Sequence, residues 1–190
     1  AVLGAALGLT LAGDSLSARI ACAAGLLCAA VVALGGRRAV AILAALFIAA
    51  TVLAPVLPRT ALAPARVAHL LAEVRYSALH RLQIWEFAAH KISQRPLTGW
   101  GLDSARSIPG GEAPLAGGGS RLTLHPHNAP LQLWLELGLP GAAALAALLV
   151  YVFRAAYRQA GNRFSQAAAV GMTPSASLIA SLSFGIWQNW

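Results

Sequence analysis

The chain has 190 residues, of which 58% are hydrophobic and 11% are charged, whereas about a quarter of the residues of a soluble domain are charged. This composition excludes an ordinary soluble domain and predicts an integral membrane protein. The net charge is +8, but neither an aromatic RNA-binding motif nor a zinc finger accompanies it, so the charge does not predict a nucleic-acid partner.

Four stretches without charged residues approach or exceed the about 20 residues that cross a bilayer. They are residues 20–36, 39–58, 137–153 and 164–190. Residues 1–13 resemble the end of another span, and the chain begins without Met. We therefore expect an all-α membrane protein, a polytopic bundle of transmembrane helices, and we expect this chain to be the C-terminal part of a longer protein.

Positive charges in short loops predict the orientation of the spans. Basic residues separate the first two full spans and the last two, so both loops are predicted to be cytoplasmic; they are Arg37, Arg38, Arg154, Arg158 and Arg163. The predicted organisation is a membrane part over 1–58, a long outer loop over 59–128, and two further spans over 129–190.

The outer loop contains eight basic and four acidic side chains. Long loops are exempt from the positive-inside rule, so this excess predicts an anionic partner outside the membrane. Apolar residues recur at helical spacing over 64–94 with charged residues between them, which predicts one or two amphipathic helices lying on the bilayer or on the spans. Pro96 is expected to end this helical region, and the TGWG turn at 98–101 leads into a Gly-rich loop.

The run HPHNAPLQLWLELGLPG, residues 125–141, places an imidazole and an amide at the start of a membrane-length helix. Asn128 is a good N-cap, and the Ala-Pro that follows suits a first helical turn. His127 would then lie at a helix N-terminus, where free N–H groups and the helix dipole favour a phosphate. Pro126 keeps His125 extended, so we expect its side chain to diverge from that of His127.

Each of these residues also has a structural interpretation. His127 could be bonded to lipid headgroups, or it could bind zinc with His125, although no third ligand lies at a recognisable spacing. Glu136 needs a partner inside a span and acts either as a structural contact or as part of the site. Arg19 alone would anchor the interface, and Arg81 alone would be a solvated residue on a helix face.

The predicted orientation places Arg19, Arg81 and His127 on the same side of the membrane. Arg19 follows the polar turn GDSLS, and Arg81 lies on the amphipathic helix. Guanidinium forks match phosphate oxygens bidentately, so two arginines beside a histidine at a helix N-terminus would form a diphosphate clamp.

Four motifs carry a resemblance to a known family. In chain order they are SAR at 17–19, R-L-x-I-W-E at 81–86, R-P-L-x-G-x-G at 95–101, and H-N followed by nine residues and G-x-x-G at 127–141. Together they resemble the O-antigen ligase and polymerase superfamily of bacterial inner membranes. The resemblance covers about residues 15–150. The glycines of the last motif, Gly138 and Gly141, also predict a kink or close helix packing.

The resemblance implies a multi-pass glycosyltransferase of the bacterial inner membrane that needs neither metal nor cofactor. Such an O-antigen ligase takes a glycan from undecaprenyl diphosphate and transfers it, on the periplasmic side, to lipid A-core. The implied partners are this lipid-linked glycan, a lipid A-core or glycan acceptor, and membrane lipids. Complete members have more spans than this chain shows, so we expect the missing spans to matter for activity.

The family's histidine corresponds to His127, which would accept the proton of the acceptor hydroxyl. Its two essential arginines correspond to Arg19 and Arg81, which would neutralise the diphosphate. A base acting opposite the departing diphosphate predicts inversion at the anomeric carbon. The residues expected to bind substrate around this centre are Arg121, Asn128 and Glu136.

Three alternatives to the ligase remain open. A polysaccharide polymerase and a protein O-oligosaccharyltransferase share the superfamily motifs, because the acceptor is chosen by variable loops. A non-catalytic transporter or scaffold for lipid-linked glycans is the third. A flippase needs a polar route through the bilayer, and within the predicted spans the charged residue available for such a route is Glu136.

Overall fold

The computed structural model describes residues 16–71, 76–115, 118–122, 124–159 and 161–182. Within these ranges the regular structure is helical, apart from an isolated bridge between Pro114 and Ser120. The α-helices are α1 (Leu16–Leu53), α2 (Pro64–Leu71), α3 (Tyr76–Gln94), α4 (Ala129–Gln159) and α5 (Arg163–Leu182). The all-α class predicted from the sequence is confirmed for the described residues.

The long helix α1 is interrupted by a glycine. A straight helix of its 38 residues would be about 57 Å long, about twice the hydrocarbon core of a bilayer. Gly36, with φ 53° and ψ −137°, is non-helical and separates residues 16–35 from 37–53. These two segments coincide with the first two predicted full spans, and the break lies beside the arginines that were expected to separate them.

A second glycine, Gly138, interrupts α4 with φ 63° and ψ −146°. A Cβ built on Gly141 would lie 2.6 Å from the carbonyl oxygen of Leu133, whereas residues eight positions apart in a straight helix are separated by about 12 Å. The chain therefore folds back sharply at Gly138. It divides α4 into a short segment (residues 129–137) and a long segment (residues 139–159).

Two described helices, Ser17–Leu53 and Ala129–Arg158, are long and apolar enough to cross a membrane by length and composition. They agree with the membrane class predicted from composition. α5 begins the last predicted span, of which residues 183–190 lie outside the described residues, as do residues 1–13. The number of spans and the polytopic bundle stay predictions.

The chain divides into two compact units. The first contains residues 16–48 and 148–182, and the second contains residues 49–147. The second unit therefore combines the predicted outer loop with the short segment of α4, which had been expected to lie inside a span.

Small residues bring α1 and α5 close together in the first unit. A Cβ on Gly25 would lie 2.8 Å from the carbonyl oxygen of Gly171, and the Ser175 hydroxyl donates to the carbonyl oxygen of Ala21 at 2.9 Å. Close approach through small residues is typical of helices packed in a membrane. Large apolar side chains point outward from this unit and are exposed, among them Leu27, Leu34, Ile42, Tyr151 and Phe164.

The core of the second unit joins α3, the Gly-rich loop and the short segment of α4. Its buried members are Ala54, Ile84, Ala88, Ile92, Ala105, Ile108, Leu122, Leu131 and Leu135. Two helices, α2 and α3, lie within residues 64–94 as predicted, and α3 ends at Gln94, before Pro96. The apolar face of α3 packs against the loop and against Leu131 and Leu135, which belong to residues 129–190, where two spans were predicted. Contact of this face with the bilayer stays a prediction.

Candidate functional site

Asn128 begins α4. Its side-chain oxygen accepts the backbone N–H of Leu131 at 3.0 Å, and its carbonyl oxygen accepts the N–H of Gln132 at 2.9 Å. An asparagine in this position stabilises a helix by about 1 kcal/mol relative to alanine. The predicted cap is confirmed, and His127 lies immediately before the helix.

The helix that follows His127 is interrupted at Gly138, and three side chains of its short segment, those of Leu131, Leu135 and Glu136, are buried in the second unit. The position of His127 at the entrance of a span stays a prediction. The dipole of the short segment favours an anion near its N-terminus, but its first turn offers few N–H groups, because Pro130 has none and that of Leu131 is bonded to Asn128.

The break at Gly138 is built jointly with the turn at 95–101. The N–H of Trp100 donates to the carbonyl oxygen of Leu135, and the N–H of Gly101 donates to that of Glu136, both at 2.9 Å. Beyond the break, the N–H of Leu139 donates to the carbonyl oxygen of Pro96 at 2.9 Å. The N–H groups of the turn thus bond to carbonyl groups that have no hydrogen-bond partner within the interrupted helix.

Two glycines allow the turn at 95–101 to lie against the break at Gly138, and we call this backbone contact the joint. A Cβ on Gly138 would lie 2.7 Å from the backbone nitrogen of Gly99, and both residues have positive φ, 63° and 66°. A Cβ on Gly99 would overlap the carbonyl oxygen of Glu136. R-P-L-x-G-x-G and G-x-x-G, which are separate motifs in the sequence, therefore meet at one backbone contact.

Trp100 secures the turn to the end of α3. Its indole N–H donates to the carbonyl oxygen of Lys91 at 3.0 Å, and the Arg95 guanidinium lies 4.3 Å from the centre of its ring. A guanidinium over an aromatic face is attracted by the ring quadrupole. The sequence analysis used this tryptophan only as part of a turn.

Glu136 is fully buried and holds two polar partners. One carboxylate oxygen accepts the side-chain amide of Gln132 at 3.1 Å, and the other accepts the backbone N–H of Asp103 at 3.0 Å. Asp103 in turn forms an exposed ion pair with Arg106 at 3.4 Å. Of the two roles that the sequence left open for Glu136, these contacts support the structural one, because they fix the turn that presents Arg106.

The rings of His125 and His127 pack against each other rather than diverge. Their centroids are 4.2 Å apart with an interplanar angle of 67°, and the backbone N–H of His127 donates to Nδ1 of His125 at 3.2 Å. The expected divergence is wrong because His127 adopts a left-handed backbone, with φ 52°, and this turns the chain back on itself after Pro126.

A tryptophan of α3 secures this loop. The indole N–H of Trp85 donates to the carbonyl oxygen of Pro126 at 2.8 Å. Trp85 belongs to R-L-x-I-W-E, the second of the four motifs, and Pro126 directly precedes the fourth, so this bond connects the two motifs. This bond could not be predicted from the sequence, since one hydrogen bond to a distant carbonyl leaves no periodic signal.

The environment of His125 is positively charged. Burial lowers the pKa of its imidazole, and the charges of His127 and Arg106 lower it further. Arg106 is therefore a cation beside the histidine pair, which the sequence analysis counted only in the basic excess of the loop. The sequence feature that could have pointed to Arg106 is its spacing of three residues from Asp103, which suits an ion pair.

The family model for O-antigen ligase matches residues 1–146. The chain belongs to the O-antigen ligase family. The match includes all four motifs, and both units contribute residues to it. The resemblance drawn from the motifs is thereby confirmed.

Curated relatives of this O-antigen ligase family chain come from Rickettsia, and their names describe candidate polysaccharide ligases. The one from Rickettsia conorii is 37% identical over 118 residues, which are 60% of this chain and 28% of that protein. The one from Rickettsia prowazekii is 39% identical over 118 residues, which are 60% of this chain and 29% of that protein. The chain thus matches less than a third of the length of these relatives. No solved structure matches it.

Two arginines of the predicted clamp belong to different units of this O-antigen ligase family chain. Arg81 lies on α3 four residues before Trp85, so the two share a helix face one turn apart, and Trp85 contacts the loop that carries His127. Arg19 lies in the first turn of α1, in the first unit, and is exposed. Its proximity to His127 stays a prediction.

The third predicted arginine, Arg121, is exposed beside a cavity of about 790 Å³ in the second unit. The Gly-rich loop presents it by bonding back on itself, since the Arg121 N–H donates to the carbonyl oxygen of Ala113 at 3.0 Å and Leu122 is buried. The polar and aromatic residues that line the cavity with it are Arg59, Gln83, Glu86, Phe87, His90, Lys91 and Gln94.

Among the described residues, no third ligand joins His125 and His127 to form a zinc site. In the part of the chain that the structure describes, no group of three His, Cys, Asp or Glu side chains could hold a metal ion. Instead, Nδ1 of His125 is engaged by a backbone N–H. The contacts of the pair are those of a hydrogen-bonded loop.

Proposed function

We propose that the full-length protein is an O-antigen ligase that transfers a glycan from undecaprenyl diphosphate to lipid A-core at the periplasmic face of the bacterial inner membrane. Family membership supports the reaction class. The observation that supports the proposal is the Asn128 cap, because it begins a helix directly after His127, and the positive end of a helix dipole favours a phosphate.

In the proposed reaction the acceptor hydroxyl oxygen forms a bond to the anomeric carbon of the donor sugar. The bond from that carbon to the diphosphate oxygen breaks, and the oxygen keeps the electron pair. His127 accepts the hydroxyl proton, while Arg19 and Arg81 neutralise the charge that develops on the diphosphate. Attack from the side opposite the leaving group inverts the anomeric carbon. Neither a metal nor a nucleotide sugar takes part in this scheme.

Arg81→Lys tests the bidentate contact to the diphosphate. Lysine keeps the charge but loses the planar fork, so kcat is expected to fall about 10- to 100-fold, as for the loss of a charge-assisted hydrogen bond worth about 1.5–3 kcal/mol. The assay is transfer from undecaprenyl diphosphate-linked glycan in membranes. Arg66→Lys, on the exposed side of α2, is the matched control. Full activity of Arg81→Lys would show that only surface charge is needed.

We further propose that the cavity beside Arg121 binds the glycan. Its lining combines the cations Arg59, Lys91 and Arg121 with the aromatic ring of Phe87. Cations suit the phosphate or carboxylate groups of an acidic glycan, and an aromatic face suits the apolar side of a sugar ring. All these residues belong to the second unit.

Arg121→Ala is expected to raise the KM for the lipid-linked glycan donor about five- to thirtyfold with little change in kcat, because it removes a contact made equally in the ground state and in the transition state. Arg66→Ala, an exposed arginine that does not line the cavity, should leave both constants unchanged. A fall in kcat without a change in KM would instead assign Arg121 to the transition state.

Deleting the complete gene and separating the surface polysaccharide on a gel distinguishes the proposed ligase from its alternatives. A ligase predicts loss of all capped lipopolysaccharide, whereas a polymerase predicts molecules capped with a single repeat. Binding of the lipid-linked glycan by the purified full-length protein without turnover would point to a transporter or scaffold.

A further inference from the structure

The backbone of His127 lies in an uncommon conformation that its surroundings must determine. With φ at 52°, His127 occupies the left-handed region, which costs a residue other than glycine about 1–3 kcal/mol and persists only where neighbouring contacts enforce it. The residue before it is held by the bond from Trp85 to the Pro126 carbonyl. The residue after it is held by the Asn128 cap.

The N–H of His127 supplies the third restraint, and its partner is a side chain. It donates to Nδ1 of His125 at 3.2 Å. A neutral imidazole has one donor nitrogen and one acceptor nitrogen, while the protonated ring has two donors. This bond therefore requires His125 to be neutral and to carry its proton on Nε2.

The same histidine also contacts the side chain of His127. Their rings meet edge to face, with centroids 4.2 Å apart. His125 thus restrains both the backbone and the imidazole of the neighbour that follows Pro126. A residue that fixes both can determine where the proposed base points.

We propose that His125 is the positioning residue for His127: its neutral imidazole accepts the His127 N–H through Nδ1 and holds the base in the left-handed conformation at the helix N-terminus. This rests on the proposed function of His127 as base. The charges that act on the His125 imidazole are His127 in its own loop and Arg106 in the turn at 104–107, and the Trp85 indole of α3 adds none. Burial, and after it the electrostatic effects of His127 and Arg106, hold the pKa of His125 below its usual value.

Three variants of His125 in the full-length protein test this assignment. Asn carries its carbonyl oxygen at the δ position, where Nδ1 lies, and cannot titrate, so His125→Asn is expected to keep at least half of kcat. Gln carries its oxygen one bond further out. His125→Gln and His125→Ala are therefore expected to lose about 10- to 100-fold in kcat, as for a misplaced catalytic group, with the KM for the donor unchanged.

The pH profile gives a readout that a merely structural residue would not change. As pH falls, the base is lost on protonation of His127, and the acceptor of its N–H is lost on protonation of His125. The acid limb of log kcat against pH should steepen from a slope of one to two in the wild type and stay at one in His125→Asn. A slope of two in His125→Asn would overturn the proposal, as would equal kcat in the Asn, Gln and Ala variants.

Failure of the base role and failure of the positioning role can be told apart. If His127→Ala were fully active, the proposed function would fail, and the bond would be judged from the ¹⁵N shifts of the His125 imidazole in the labelled protein. A proton on Nε2 together with an unprotonated, hydrogen-bonded Nδ1 would support the bond. A proton on Nδ1 would overturn it.

Discussion

Replacing His127 by alanine in the full-length protein is expected to lower kcat for glycan transfer by about 10²- to 10⁴-fold, the contribution that a positioned general base makes. His127→Gln should be as inactive, because it keeps a polar side chain but cannot accept the proton at neutral pH. The measurement is transfer of lipid-linked glycan to the acceptor in membranes, at equal protein levels.

The control for this prediction is His69→Ala, since His69 is an exposed histidine on α2 in the same unit. It should retain wild-type activity. Wild-type turnover by His127→Ala would remove the histidine from the mechanism and leave the helix N-terminus and the arginines as the proposed determinants. Added imidazole that restores part of the activity of His127→Ala would strengthen the base role.

Placing a methyl group on Gly138 or Gly99 is expected to have the largest effect on folding. In either variant the new Cβ would overlap backbone atoms of the joint between the turn at 95–101 and α4, which cannot move aside as a side chain could. The positive φ adds about 1–2 kcal/mol for any residue with a Cβ. We expect a destabilisation beyond about 4 kcal/mol, in the range of exceptional single substitutions.

Gly110→Ala separates the two contributions to this effect. Gly110 also has a positive φ, 83°, but a Cβ there would meet no atom within 4 Å, so only the backbone cost should appear. The measurement is the apparent melting temperature in detergent together with the amount of protein in the membrane. If Gly138→Ala melted as Gly110→Ala does, the close backbone contact would not be needed for the fold.

The joint also explains why the motifs of this family chain are spaced as they are. Trp85 contacts the loop before His127, and the turn at 95–101 contacts the end of the short segment that follows it. α3 and the turn thus hold the short segment near both of its ends. The position of His127 depends on Trp85 and on the turn at 95–101, which lie between 26 and 42 positions earlier in the chain, although none of these bonds touches its imidazole.

Several features could be predicted because they depend on local sequence. Asn128 followed by Ala-Pro predicts a helix start, since a side-chain oxygen at that position accepts N–H groups of the next turn. Pro96 predicts the end of α3, because proline disfavours a helical conformation in the residue before it. The excess of basic residues in the outer loop predicted that cations lie there, but it did not distinguish Arg106 from the other basic residues of the loop.

Other features could not be predicted because their determinants lie far apart in sequence. Glu136 looked like a charge inside a span, and its partner turned out to be the backbone N–H of Asp103. His125 looked extended, and the left-handed φ of His127 turned it back onto its neighbour. Neither a backbone N–H nor a positive φ at a histidine is marked by residue type.

By itself, the sequence determined the membrane class, the helical content, the capped helix start after His127 and the family, because composition, helical spacing and motif residues are properties of short stretches of chain. Only the tertiary structure decided that the helix after His127 ends at Gly138. A continuous apolar run from 129 onward reads as one span, and the break exists because the N–H groups of the turn at 95–101 bond to the carbonyl groups of Leu135 and Glu136. Such long-range backbone pairing leaves no periodic signal in the sequence, so it had to be seen in the fold.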